Sequence, residues 1–163
     1  MATSALDGSL ALDAFAGRAL TLDLSAGQLI VDTPASLAAR TARAVEVPVR
    51  FDRSAQGLAL TPLVAVETAK GRLWMELDCG SDGALIVGRH ATELLHLDPA
   101  AKGAQSLAAT IAGGVALAGN ARVEDLILDG NIGAPVLKRW IVTLDLARQR
   151  LWIAPQTPVA AKP

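Results

Sequence analysis

Asp78-Cys79-Gly80-Ser81 closes the apolar run Leu73-Trp74-Met75-Glu76-Leu77, and these residues are the ones in the chain best suited to chemistry. A short apolar run bounded by turn residues predicts a strand, so Asp78 sits where a strand ends and a tight turn begins. Gly80 lets the backbone fold back far enough to bring its own N–H near the carboxylate, and Ser81 can donate a further hydrogen bond. Two carboxylates held close together cannot both ionise, so they share a proton and titrate apart. One can then activate a water while the other protonates or polarises a carbonyl. The chain holds one loop of this kind, so Asp78 needs a second acid from elsewhere.

Other chemistries find less support. Cys79 acting as a thiol nucleophile would need His90 or His96 as its base, and a small buried residue is the simpler reading. His90 and His96 are six residues apart and do not share a helical face, which argues against a metal pair. Gly113-Gly114 and Gly119 lack the Lys-Ser/Thr of a phosphate loop. Asp23 and Asp145 read as local caps, and Trp74, Trp140 and Trp152 as core or interface. No cofactor or metal is expected. Asp78 alone would read as an ordinary turn aspartate; the rest of the sequence has to say more.

The bulk properties fit one ordinary domain plus an extension. The chain has 163 residues, 52% of them hydrophobic, and a net charge of -1. That balance gives no electrostatic case for nucleic acid or an anionic membrane. No apolar run approaches the ~20 residues of a membrane-spanning helix. The N-terminus lacks the basic and apolar regions of a secretory signal. A single cysteine excludes an internal disulfide and a zinc finger.

The elements that must position Asp78 are mostly strands. Thr21 to Leu24 and Gln28 to Val31 predict a hairpin around Ser25-Ala26-Gly27. Pro34 to Ala44 reads as a short helix or a linker. Val45, Val47, Val49 and Phe51 alternate with polar residues as one half-buried strand, which Pro48 places at an edge. Leu58 to Thr68, Arg72 to Leu77 and Ala84 to Val87 follow as strands, then one or two helical turns over Ala91 to Leu97. Lys102 to Gly119 is Gly- and Ala-rich, as mobile hairpins are. Val123 to Leu128 reads as a strand, and Ala134 to Arg139 as a short helix entered at Pro135. Trp140 to Leu146 and Arg150 to Ala154 form a closing hairpin, before a Pro-rich tail expected to be disordered.

An internal repeat runs through this pattern. Asp7-Gly8-Ser9-Leu10 aligns with Asp129-Gly130-Asn131-Ile132 at an offset of 122 residues. The same offset carries Thr21-Leu22-Asp23-Leu24 onto Thr143-Leu144-Asp145-Leu146 without a gap. Shifted back by that offset, Asp78 falls before the first residue. The N-terminal copy therefore reads as the tail end of a lobe whose acidic loop is not in this sequence, either because the chain is a fragment or because the copy is a structural remnant.

Leu77-Asp78-Cys79-Gly80-Ser81, the strand Ala84 to Val87 and the turns after it resemble the acidic loop, strand and helix of retropepsin-like aspartyl proteases of the bacterial two-lobed or single-lobe type. Asp129-Gly130-Asn131-Ile132-Gly133 resembles the family's second signature, an aliphatic-aliphatic-Gly segment that threads behind the acidic loop. The resemblance implies a mainly β fold: a closed β-barrel lobe with one or two short helices over residues 45–155, preceded by the terminal hairpin of a second such lobe over residues 1–34, a linker at 35–44 and a tail at 156–163. It implies an aspartic endopeptidase with Asp78 as the catalytic acid/base, supported by Cys79, Gly80, Ser81, Ile132 and Gly133. The partners it implies are a peptide or protein substrate and a second lobe or homodimer partner supplying the other Asp. A periplasmic or secreted location is suggested by the resemblance alone. The chain departs from the pattern twice. Cys79 stands where the family has Thr or Ser, whose hydroxyl knits the two acidic loops together, and a thiol is a weaker donor and acceptor. Asn131 replaces an aliphatic residue. Two rival readings stay open: a degenerate lobe serving dimerisation or peptide binding, and an unrelated β-barrel binding module.

Overall fold

The computed structural model describes residues 10–53 and 59–156. Asp7, Gly8 and Ser9 of the first repeat copy, Leu58 and the tail beyond Gln156 lie outside the described residues. The chain opens with β1 (Ala19–Asp23), β2 (Gln28–Asp32), helix α1 (Pro34–Thr41), β3 (Val45–Val47) and β4 (Val49–Arg53). It continues with β5 (Leu60–Thr68), β6 (Gly71–Asp78), β7 (Leu85–Gly88), β8 (Gln105–Ile111) and β9 (Val115–Glu124). It closes with β10 (Gly130–Gly133), α2 (Ala134–Leu137), β11 (Trp140–Asp145) and β12 (Arg150–Pro155). Two single 3-10 turns, Arg89–Ala91 and Glu93–Leu95, stand where helical turns were expected. No helix among the described residues is long and apolar enough to cross a membrane.

The fold is mainly β. One sheet has the order β4-β5-β6-β10-β7-β9-β8, and a further pairing of β5 with β8 closes six of its strands into a barrel. Closure removes the exposed strand edges that an open sheet would have to protect. A second sheet, β2-β1-β11-β12-β3, lies against it. The core they share is aliphatic: Met75, Leu85 and Ile132 from the barrel meet Leu144, Leu151 and Ile153 from the second sheet. The barrel thus supplies the packed floor from which β6 delivers Asp78.

Two expectations are corrected, and one alternative left open is resolved. The alternating run Val45 to Phe51 is two strands, not one: β3 pairs with β12 while β4 pairs with β5, in different sheets. Pro48, which has no N–H to give a ladder, marks the step between them. Val123 to Leu128 is not a strand: β9 ends at Glu124, and the chain turns through Leu126 and a fully exposed Ile127 before β10. Of the two readings of Pro34 to Ala44, the helix is the one seen; Thr33 caps it in a reciprocal capping box with Ser36, and Pro34 occupies its first turn.

A buried polar knot joins the second sheet. Thr21 lies directly opposite Thr143 in the β1–β11 ladder, and their hydroxyls are 2.9 Å apart. Thr21 Oγ1 also donates to Asp32 Oδ2 at 2.6 Å. Asp32 takes two more donors from α1, Ser36 Oγ at 2.7 Å and Arg40 Nε at 3.0 Å. Its carboxylate is fully enclosed. Removing a donor from a buried acceptor costs about 1–3 kcal/mol. Thr21→Val is therefore expected to lose about that much stability in urea unfolding. Thr143→Val should lose less, because Asp32 keeps all three of its donors.

Candidate active site

Asp78 is the last residue of β6, and β10 runs beside it. β10 pairs parallel with β6, matching Asn131 to Glu76, Ile132 to Leu77 and Gly133 to Asp78. On its other side it pairs antiparallel with β7, matching Ile132 to Leu85. The segment 130–133 thus threads between the two strands that flank the acidic loop. The loop is fastened to it by Gly133 N–H donating to Ala84 O at 3.0 Å and Ala134 N–H donating to Ser81 O at 2.9 Å. A Cβ on Gly133 would stand 1.9 Å from Gly83 O, so only glycine allows this close a passage.

Both oxygens of Asp78 are held from within the chain. Gly80 N–H donates to Oδ1 at 2.9 Å, as its place in the turn predicts. Asn131 Nδ2 donates to Oδ2 at 2.7 Å. The residue that departs from the aliphatic pattern is therefore a direct partner of the acid. Asn131 is nine-tenths buried, and its Oδ1 has no hydrogen-bond partner among the described residues.

Glu76 is the second residue that sequence reading passed over. A strand's period of two places Trp74, Glu76 and Asp78 on one face, and this alternation was the available signal. Glu76 is half-buried, and its carboxyl is held above the ordinary value of 4.5, chiefly by burial and further by the negative charge of Asp78. Among the described residues no hydrogen bond or ion pair offsets that burial.

Asp78, Glu76 and Cys79 open onto a cavity of about 500 Å³, walled largely by apolar side chains such as Leu22, Leu77 and Val142. That volume is in the range of ligand-binding clefts, about 300–1,000 Å³. Cys79 is exposed rather than buried, because it stands at the turn just beyond β6. Neither histidine lines the cavity: His90 Nε2 lies 3.1 Å from Asp129 Oδ1, and Asp129 Oδ2 accepts from Trp74 N–H at 2.7 Å. Asp23 and Asp145 act as local caps, accepting from Ala26 N–H and Arg148 N–H respectively.

No protein-family model and no curated protein matches the chain. Among solved structures, it is similar to the crystal structure of a retropepsin-like aspartic protease from Rickettsia conorii, at 14% identity and a TM-score of 0.43. The match covers 67% of this chain and 92% of that one. A likeness that distant carries no functional argument; the geometry around Asp78 has to carry it.

Two outcomes test the geometry. Gly133→Ala forces backbone against backbone and is expected to cost about 3 kcal/mol or more, read as a large fall in the unfolding midpoint. A wild-type midpoint would rule out the threaded arrangement. For Glu76 the raised folded-state value fixes the sign: the stability it contributes is complete below pH 4.5 and is lost as pH rises through the folded value. Glu76→Gln should therefore melt with the wild type at pH 4 and above it at pH 7.

Proposed function

We propose that this chain is an aspartic endopeptidase lobe, with Asp78 as one half of an acid–base pair and the second Asp supplied by another lobe or by a homodimer partner. The observation that carries the reading is the threaded β10: it sets Gly133 beside Asp78, and its Asn131 holds one carboxylate oxygen while Gly80 holds the other. An acid fixed this firmly at the mouth of a cleft suits hydrolysis of a peptide bound in extended form along strand edges. Asp78 takes a proton from water as the water oxygen attacks the scissile carbonyl carbon. The protonated partner acid gives its proton to the carbonyl oxygen. The tetrahedral intermediate then collapses, its C–N bond breaks, and a proton passes to the departing amine.

The ladder around Thr21 and Thr143 supports reading the two T-L-D-L segments as copies of one unit. These threonines are 122 residues apart, the repeat offset, and face each other directly. Leu20 opposite Leu144 and Leu22 opposite Val142 then become equivalent pairs about a local two-fold axis. On this reading β1 and β2 end a first lobe, and the axis marks where two lobes meet. The rival, a degenerate lobe that binds peptide or dimerises without cleaving, draws on the exposed Cys79 in place of a hydroxyl.

The test is cleavage of a peptide library by the purified protein at pH 4 and pH 7, beside Asp78→Asn. The variant is expected to lose activity by about 10³-fold or more, and cleavage surviving in it would sink the assignment. Peptide binding without cleavage would favour the degenerate lobe. Cys79→Thr is expected to raise activity by restoring a hydroxyl.

A further inference from the structure

We infer that Glu76 and Asn131 form a positioning clamp for Asp78, in which the protonated Glu76 carboxyl donates to Asn131 Oδ1 and so fixes the amide that orients the acid. The inference rests on the assignment of Asp78 as the acid–base group and adds two residues to it.

The argument begins with an unsatisfied atom. A buried amide oxygen without a donor costs about 1–3 kcal/mol, and Asn131 Oδ1 is such an atom. Its Nδ2 faces Asp78, so the planar amide turns Oδ1 away from that carboxylate. The parallel ladder sets Asn131 level with Glu76, and register partners in neighbouring strands share a face. Asp78, two residues beyond Glu76, is on that same face. Asn131 therefore shares a face with both carboxyl groups, with its donor end on Asp78.

The partner that fits its acceptor end is a group carrying a proton. Glu76 is placed to be that group: burial and the Asp78 charge both favour its neutral form. Among the described residues, the titratable groups that face Glu76 are Asp78 on its own strand, Cys79 on the cavity wall and Arg50 of β4, two strands away; β5 sets Leu63 opposite it, and β10 sets Asn131. Among the described residues the cation on this face is Arg50, and its guanidinium lies 4.0 Å over the Trp74 ring rather than in an ion pair with Glu76. A protonated Glu76 closes a chain from its O–H to Asn131 Oδ1 and from Asn131 Nδ2 to Asp78 Oδ2. The chain also fixes which way the amide faces, since a flipped amide would set two acceptors against each other at Asp78. Once Glu76 ionises it can no longer donate, and the clamp opens.

Glu76→Gln keeps a donor at every pH, whereas Glu76→Leu keeps none. The experiment compares both with the wild type by peptide cleavage across pH 4 to 8 and by the side-chain amide resonance of Asn131 in ¹⁵N-labelled protein. The wild type should show a falling limb in rate, and an Asn131 shift, with a midpoint above 4.5. Glu76→Gln should lose both and keep the plateau rate. Glu76→Leu should be slowed about tenfold or more at every pH, as expected for a misplaced acid. If Glu76→Gln titrates like the wild type, or falls with Glu76→Leu, the clamp is overturned while Asp78-dependent cleavage stands. If the Asn131 shift follows Glu76 but no peptide is cut, the clamp stands and the peptidase reading falls.

Discussion

The passage of β10 between β6 and β7 is the constraint on which the rest of the structure depends. It places Asn131 against Asp78, a contact 53 residues apart in sequence, and makes one barrel wall parallel and the next antiparallel. Nothing local enforces such a contact. It forms only when the acidic loop and the threading strand are held together by the closed barrel around them. Backbone meets backbone where Gly133 passes Gly83, so the arrangement tolerates no side chain there. The loop carbonyls of Ser81 and Ala84 accept from the threading strand, while the Gly80 N–H donates to Asp78.

This dependence explains what could be read in advance. The end of β6 at Asp78, the helix entered at Pro135 and the closing hairpin are governed by local pattern and turn chemistry, and they lie close to where the sequence places them. The D-G-x-I-G segment was legible as a partner for the acidic loop only through its resemblance to the second signature of the aspartyl-protease pattern. Pro48 was read correctly as an edge signal, yet alternation cannot say that the strands on its two sides join different sheets. Leu126-Ile127-Leu128 has the composition of a strand and is not one, because the chain must swing out of β9 before it can thread back as β10. Ile127 is left wholly exposed by that detour. Local periodicity contains no term for it.

The second sheet follows a simpler rule. Its two hairpins meet at Thr21 and Thr143, small polar residues that satisfy each other and, through Asp32, fasten α1 to the sheet. The sheet is not symmetric at its outer ends. β12 is covered by β3, while β2 ends the order with Leu29 and Val31 about half exposed. Apolar side chains on a terminal strand invite another element to pack there.

The two departures from the aspartyl-protease pattern lie at and beside the acidic loop. A threonine or serine at position 79 would bring a strong hydroxyl donor to the loop, whereas Cys79 offers a weak one and is exposed. An aliphatic residue at position 131 would bring no donor, whereas Asn131 supplies an amide at 2.7 Å from Asp78 Oδ2. A hydroxyl at 79 reaches across an interface, so the order of the acid would depend on assembly. An amide on β10 reaches from the barrel wall, so Asp78 is oriented from within its own chain. Both oxygens of Asp78 are thus held by donors of its own chain, and the geometry of the carboxylate is fixed locally.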